Sequence, residues 1–121
     1  MLAHLVIYYL FLHLEIYMCY FIRQIMKTHF SLDFLETSTE TLRAIAHPIR
    51  IAIIDMLHKK KQMTVTEIFE QLDIEQAIAS HHLRILKNQD IVDVKRDGKN
   101  SIYSLSDDEY YIIVEVLTKV V

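Results

Sequence analysis

The chain has 121 residues, which is the length of one globular domain and leaves no room for a second, catalytic domain. Its net charge of -3 at pH 7 differs from the basic balance that is common in DNA-binding domains, so a nucleic-acid interface would depend on local charge. The single cysteine, Cys19, excludes an internal disulfide and a two-thiol redox switch, which favours a cytoplasmic protein.

The first segment, residues 1–22, is apolar apart from His4, His13 and Glu15, and it is long enough to cross a bilayer. It fits a secretory signal poorly, because it has neither a basic first region nor a small-residue cleavage site. Membrane attachment is disfavoured because Glu15 would be costly in hydrocarbon. We favour an extra helix buried in a subunit interface. A translation start at Met26 remains an alternative. We therefore predict an apolar oligomerisation helix over residues 1–30 and a separate domain over residues 31–121.

Two helices are predicted at the start of this domain. Residues 37–40 (Thr-Ser-Thr-Glu) have the form of a capping box, so a helix is expected from there to about Ala46. His47 and Pro48 end it, and proline suits the first turn of the next helix. The apolar face of that second helix consists of Ile49, Ile51, Ile54 and Leu57.

A short third helix is predicted over residues 65–72. Thr64 or Thr66 is its expected cap, and Glu67 suits the positive end of the helix dipole. Asp73 follows, in a turn that glycine would adopt more easily.

The next helix, residues 75–87, has two contrasting faces. Ala79, Leu83 and Leu86 share one face, which is expected to pack inward. The outward face carries small and polar side chains together, and small residues let a backbone enter a DNA major groove while longer neighbours reach the bases. The predicted DNA-reading residues are Gln76, Ala77, Ser80, His81 and Arg84.

A β-hairpin is predicted from residues 91–96 and 99–105, with a two-residue turn at Asp97-Gly98. This turn would place Arg96 directly opposite Lys99, where like charges are unfavourable unless a phosphate lies between them. The hairpin tip is therefore expected to contact the DNA backbone. The predicted contact residues are Lys95, Arg96, Lys99 and Asn100.

A last helix is predicted after a second capping box at residues 106–109 (Ser-Asp-Asp-Glu). Its apolar stripe consists of Tyr110, Ile113, Val114, Leu117 and Val121. The predicted fold is mainly α with a small β-hairpin, in the order of a winged helix-turn-helix.

Three motifs in this order resemble the ArsR-type (ArsR/SmtB-like) winged helix-turn-helix transcriptional regulators. They are residues 42–54 (LRAIAHPIRIAII), 76–86 (QAIASHHLRIL) and 94–105 (VKRDGKNSIYSL). The resemblance implies a homodimer built on the N- and C-terminal helices, which binds an imperfect DNA palindrome and represses a nearby operon. The chain departs from the family at His81, at Glu75 in place of a hydroxyl cap, and at Asp73 and Asp90 in place of glycine.

The metal sites of many ArsR-type proteins are not matched. Thr64 and Thr66 occupy the places of a thiolate pair, and no histidine follows the acidic residues 107–109. We predict no metal site and no cofactor, and we infer no effector. His47 is expected to be a helix-boundary residue, and His82 a partly buried packing residue.

Catalysis is not expected, because the chain has no nucleophile and base at motif spacing and no phosphate-binding glycine loop. The predicted function is that of a DNA-binding repressor. The alternative is a winged helix that serves as a protein-interaction or membrane-tethered module without specific DNA binding.

Overall fold

The computed structural model describes residues 1–25 and 27–121, so the proposed start at Met26 lies outside the described residues. The chain divides into two compact units, Met1–Glu36 and Thr37–Val121. The elements, in chain order, are α1 (Leu2–Ile25), α2 (Leu32–Ile45), α3 (Pro48–Lys60), β1 (Met63–Thr64), α4 (Val65–Leu72), α5 (Gln76–Asn88), β2 (Val92–Asp97), β3 (Asn100–Leu105) and α6 (Tyr110–Val120). The prediction of a mainly α fold with a small β component is confirmed.

Helix α2 begins earlier than predicted. Its first turn is capped by Ser31, whose Oγ accepts a hydrogen bond from the backbone N–H of Phe34 over 3.1 Å. The predicted start at residues 37–40 is wrong, because these residues lie inside the helix. No glycine or proline lies between Ser31 and Ile45, so the helix that Ser31 caps continues through Thr37, Ser38 and Thr39.

The cap predicted for α4 is confirmed at Thr64, and His47 lies at a helix boundary as predicted. His47 is the N-cap of α3, and its Nδ1 accepts from the N–H of Ile49 over 3.2 Å. Thr64 and Glu67 form a complete capping box at α4, with the Thr64 N–H donating to Glu67 Oε2 over 2.7 Å. These hydrogen bonds from Thr64 hold the pKa of Glu67 below its usual value.

A three-stranded antiparallel sheet, in the order β1-β3-β2, forms where only a hairpin was predicted. The short strand β1 pairs Met63 with Tyr103 and Thr64 with Ile102. Because β1 leads directly into α4, this pairing fixes the helix-turn-helix segment to the hairpin. Two residues are too few to show an alternating pattern, which explains why the sequence did not predict this strand.

The hairpin turns one residue later than predicted. Asp97 pairs with Asn100 and Arg96 pairs with Ser101, so the turn consists of Gly98 and Lys99. Gly98 has φ of 60°, as required at the first central position of a type II′ turn. The predicted opposition of Arg96 and Lys99 is therefore wrong, and no repulsion across the strands calls for a phosphate there.

The predicted capping box before α6 is also wrong. Ser106 Oγ donates instead to the carbonyl oxygens of Asp90 and Ile91. Asp108 lies 2.9 Å from His58 Nδ1, and this hydrogen bond lowers the pKa of the Asp108 carboxyl. Tertiary partners thus hold Ser106 and Asp108, whereas Asp107 Oδ1 accepts locally from the N–H of Glu109 over 2.9 Å, and α6 starts at Tyr110.

The boundary between the two units lies within α2. The hydrophobic core lies in the Thr37–Val121 unit, and every helix and strand of that unit except β3 contributes buried apolar residues to it. Tyr103 and Leu105 of β3 are partly buried and pack against this core. The buried set is Ala44, Ile45, Ile53, Ile54, Met56, Leu57, Met63, Ile68, Ala79, Leu83, Leu86, Ile91, Val92 and Val114.

Two aspartates hold a backbone conformation that favours glycine. Asp73 has φ of 53° at the end of α4, and Asp90 has φ of 54° in the turn between α5 and β2. Aspartate tolerates this region at a cost that glycine avoids. The expectation that glycine would adopt the turn at Asp73 more easily is confirmed by the geometry.

We expect Asp90→Gly to stabilise the fold by roughly 0.5 kcal/mol, because relief of the left-handed strain slightly exceeds the entropy that glycine adds to the unfolded chain. Thermal unfolding would then shift upward by about 2–4 °C. Asp93→Gly is the matched control, since Asp93 lies in β2 opposite Ser104, where glycine should lower the melting temperature. A lower melting temperature for Asp90→Gly would contradict the strain argument.

Candidate nucleic-acid interface

Helix α5 presents one buried and one exposed face, as predicted. Ala79, Leu83 and Leu86 are completely buried in the core. The five residues predicted to read DNA are all exposed: Gln76, Ala77, Ser80, His81 and Arg84. The structure thus places these side chains together on one solvent-facing surface, which we call the reader face; their role in DNA binding stays a prediction.

Glu75 gives the reader face a negative end. It is the N-cap of α5, with extended backbone angles, but its side chain makes no capping hydrogen bond. A serine or threonine here would satisfy a free N–H of the first turn. Glu75 instead leaves a carboxylate beside the first reader residue, which is unfavourable close to a phosphate backbone.

The cations of the reader face and the hairpin tip are available for a partner. In the part of the chain that the structure describes, Arg84, Lys95, Arg96 and Lys99 form no ion pair within 4.0 Å, whereas ion pairs occur at Arg43, Lys59, Lys61 and Lys119. Arg84 Nη2 lies 3.4 Å from His81 Nδ1, so these two side chains form one polar group on the helix surface.

The hairpin tip presents its charges on more than one side. Lys95 pairs with Ile102 and Arg96 with Ser101, and neighbouring residues in a strand point to opposite faces. Lys99 lies in the turn, and Asn100 begins the return strand. A DNA backbone can therefore contact the turn and one face of the hairpin. Lys95 and Arg96 cannot contact it equally, because their side chains lie on opposite faces.

A buried Arg50–His82 pair lies behind the reader face. Arg50 Nη1 lies 3.2 Å from His82 Nδ1, and Arg50 Nη2 donates to the carbonyl oxygen of Arg43 over 3.2 Å. The side chain thereby joins α2, α3 and α5 within the Thr37–Val121 unit. The sequence offered a signal for this role, because Arg50 has helical spacing with the buried Ile54 and Leu57.

His82 is favoured in its neutral form. The residue is only 7% exposed, and its ring centroid lies 4.2 Å from that of His47, with the two ring planes tilted by 32°. Burial lowers the pKa of His82, and the nearby charges of His47, Arg50 and His81 lower it further. The prediction that His82 is a partly buried packing residue is confirmed, and its neutral Nδ1 can accept the hydrogen bond from Arg50.

We expect the fold to lose stability as the pH falls below about 6.5, the ordinary value for histidine. A lowered pKa in the folded state means that the unfolded chain takes up the proton first, so protonation favours unfolding. Urea unfolding at a series of pH values measures the effect.

The variant His82→Asn keeps an acceptor for Arg50 but does not titrate, so the stability loss should become smaller. His29→Gln serves as the control, because His29 is exposed. An unchanged pH dependence in His82→Asn would contradict this explanation.

The described residues contain no group of three His, Cys, Asp or Glu side chains that could hold a metal ion. Thr64, which occupies one of the thiolate places, is engaged in the α4 capping box. The absence of a metal effector nevertheless stays a prediction.

The chain is similar to bacterial transcription regulators. Residues 47–94 match the model of the family described as bacterial regulatory protein, arsR family. The HTH-type transcriptional repressor SmtB of Mycobacterium tuberculosis is 39% identical over 75 residues, which cover 62% of this chain and 55% of that protein. The chain thus spans about half the length of that relative. The transcriptional repressor PagR of Bacillus anthracis is 30% identical over 86 residues, covering 71% of this chain and 86% of the repressor.

Solved structures show the same fold. The crystal structure of PagR superposes with a TM-score of 0.65 at 30% identity, covering 72% of this chain and 99% of that one. NolR from Sinorhizobium fredii gives a TM-score of 0.68 at 29% identity, covering 78% of this chain and 96% of that one. A winged helix-turn-helix DNA-binding domain from Mycobacterium bovis, at 20% identity and a TM-score of 0.67, shares the fold. The predicted winged helix-turn-helix is confirmed, and the chain belongs to the arsR family of bacterial regulatory proteins.

Proposed function

We propose that this protein is a sequence-specific DNA-binding repressor that acts as a homodimer on an imperfect palindrome. The observation that carries the proposal is the exposed reader face of α5, which includes Arg84 outside any ion pair of the described residues and belongs to a helix-turn-helix segment that β1 joins to the hairpin. Membership of a family of transcription regulators supports it and disfavours an enzymatic function.

Reading of bases is assigned to the polar side chains of the reader face. Gln76 suits the paired donor and acceptor of adenine, and Arg84 suits guanine or a phosphate. His81 contacts a base or a phosphate beside Arg84, from which it lies 3.4 Å away. The small side chains of Ala77 and Ser80 allow the helix backbone to approach the floor of the major groove.

Positioning on the DNA backbone is assigned to the hairpin tip. Lys99 in the turn contacts a phosphate, together with either Arg96 or Lys95 according to which face of the ribbon meets the DNA. Asn100 offers an uncharged hydrogen bond at the same place. These contacts set register and affinity but carry no sequence information.

The homodimer is proposed to form through α2 and α6. Helix α6 exposes an apolar stripe at helical spacing, with Ile112 at 52%, Val116 at 49% and Val120 at 72% of their surfaces. Leu42 on α2 is likewise exposed. A partner subunit would remove this apolar surface from water. Two half-sites one helical turn apart would then present successive major grooves to the two α5 helices.

The dependence of DNA binding on salt tests this function. Contacts to phosphates release counterions, so log Kd should rise with log salt concentration, at about 0.9 per phosphate neutralised. Lys99→Ala should reduce that slope by roughly 1 per subunit, whereas Lys119→Ala, which removes a charge at the end of α6, should leave it unchanged. Binding that does not change with salt would favour the alternative, a module for protein interaction or membrane tethering.

No metal site and no cofactor form part of this proposal, and no effector is assigned. The DNA-binding unit is placed in the cytoplasm, where a repressor meets its operator.

A further inference from the structure

Helix α1 is exposed over residues 2–20. This stretch is long and apolar enough to cross a membrane, and none of it is buried within the structure. Within residues 2–20 even Leu12, the least exposed of the large apolar side chains, shows 47% of its surface. Water is therefore an unfavourable surrounding for this stretch.

The apolar residues of α1 occupy all sides of the helix. Leu10, Phe11 and Leu12 are consecutive, and three consecutive residues of an α-helix spread over about 200° of its circumference. Leu5, Val6 and Ile7 repeat the pattern one and a half turns earlier. A single partner helix covers one stripe only, so a dimer contact would leave the other sides in water.

The length of α1 fits a bilayer. The 19 residues of its apolar stretch, Leu2–Tyr20, extend over about 28 Å, close to the roughly 30 Å of the hydrocarbon core of a membrane. Tyr17 and Tyr20 lie near its C-terminal end, and Arg23 and Lys27 follow in the sequence. Tyrosine is typical of the membrane interface, and lysine and arginine mark the cytoplasmic side.

We propose that α1 spans a lipid bilayer and anchors the Thr37–Val121 unit on the cytoplasmic side of the membrane. This inference goes beyond the repressor function and does not depend on it. It reverses the preference that the sequence alone supported, because a partner helix would cover one stripe of α1 and leave the apolar side chains on the other sides in water.

Glu15, the reason for disfavouring a membrane, lies away from the middle of the span. Phe11 is the central residue of Leu2–Tyr20, and Glu15 is four residues, or about 6 Å, further along the axis. The cost of an ionisable group falls toward the interface.

Fractionation of cells that express the full chain with a C-terminal tag tests the anchor. We expect the protein to sediment with membranes, to resist extraction by alkaline carbonate, and to be released by nonionic detergent. Trypsin should digest the tagged unit in inverted vesicles but not in intact spheroplasts.

The double variant Leu10→Arg/Leu14→Arg should shift the partition toward the soluble fraction by about ten-thousandfold, at roughly two orders of magnitude for each apolar-to-arginine change. Leu10→Ile/Leu14→Ile is the matched control and should remain in the membrane. Glu15→Leu should be extracted even less readily than the natural sequence.

Three results would overturn the proposal. They are recovery of the unmodified chain as a soluble oligomer without detergent, release by carbonate, and a tagged product shortened by removal of α1. DNA binding by the detergent-solubilised protein is measured separately, so loss of the anchor and loss of the repressor function give different results.

Discussion

Replacing Arg84 by alanine is expected to cost about 1–3 kcal/mol of binding free energy on the operator and much less on unrelated DNA. Arg84 is exposed on the reader face and forms no ion pair in the described part of the chain, so its guanidinium is free to meet a base edge. Lys99→Ala, in the hairpin turn, should instead weaken binding to every sequence alike. Titration of each variant against operator and unrelated DNA measures both effects.

Lys119→Ala is the control for this comparison, because it removes one positive charge from a residue paired with Glu115 on α6. Its affinities for the two DNA sequences should match those of the natural protein. Equal losses from Arg84→Ala and Lys99→Ala on all sequences would contradict the division between base reading and backbone positioning.

Replacing Leu83 by alanine is expected to destabilise the Thr37–Val121 unit by about 2–5 kcal/mol. Leu83 is completely buried, on the inward face of the helix that carries the reader residues. The loss includes both the transfer of the side chain and the cavity left between α5 and the core. Since small domains have only about 5–15 kcal/mol of stability, a large part of it would disappear.

Urea unfolding followed by circular dichroism measures this change. Lys87→Ala is the matched control, because Lys87 is exposed in the last turn of the same helix, and its replacement should change stability by less than about 0.5 kcal/mol. If Leu83→Ala were no less stable than Lys87→Ala, the proposed anchoring of α5 in the core would be wrong.

Features that depend on the local sequence alone were predicted well. Helical spacing is enough to predict the inward face of α5, which includes Leu83. A local pair of hydrogen bonds is enough to predict Thr64 as the cap of α4. The turn at Asp73 was expected to favour glycine, and its φ is positive, whereas the positive φ of Asp90 was not predicted.

Features decided by competition between partners were not predicted. Residues 37–40 and residues 106–109 both have the sequence of a capping box. In the structure α2 is capped further upstream, by Ser31. Ser106 donates to the carbonyl oxygen of Asp90, and Asp108 is hydrogen-bonded to the ring of His58. Local sequence does not show which of two acceptable hydrogen bonds will form.

The hairpin register shows the same limit in a strand. The two-residue turn could consist of Asp97-Gly98 or of Gly98-Lys99. Both place Gly98 at a position with positive φ, and the two registers differ by one residue. The structure has the Gly98-Lys99 turn, in which Arg96 and Lys99 are not paired. The pairing of β1 with Tyr103 and the contact of Arg50 with His82 join segments distant in sequence, so neither could be derived from local periodicity.

The most direct test of the central claim is fluorescence-anisotropy binding to the DNA upstream of the protein's own reading frame, compared with scrambled DNA across a salt series. Both the full chain in nonionic detergent and the fragment 26–121 are measured, so that a requirement for α1 is seen separately. We predict tight, salt-sensitive binding that prefers the upstream sequence. Equal affinity for both sequences, or no binding by either form of the protein, would contradict a sequence-specific repressor.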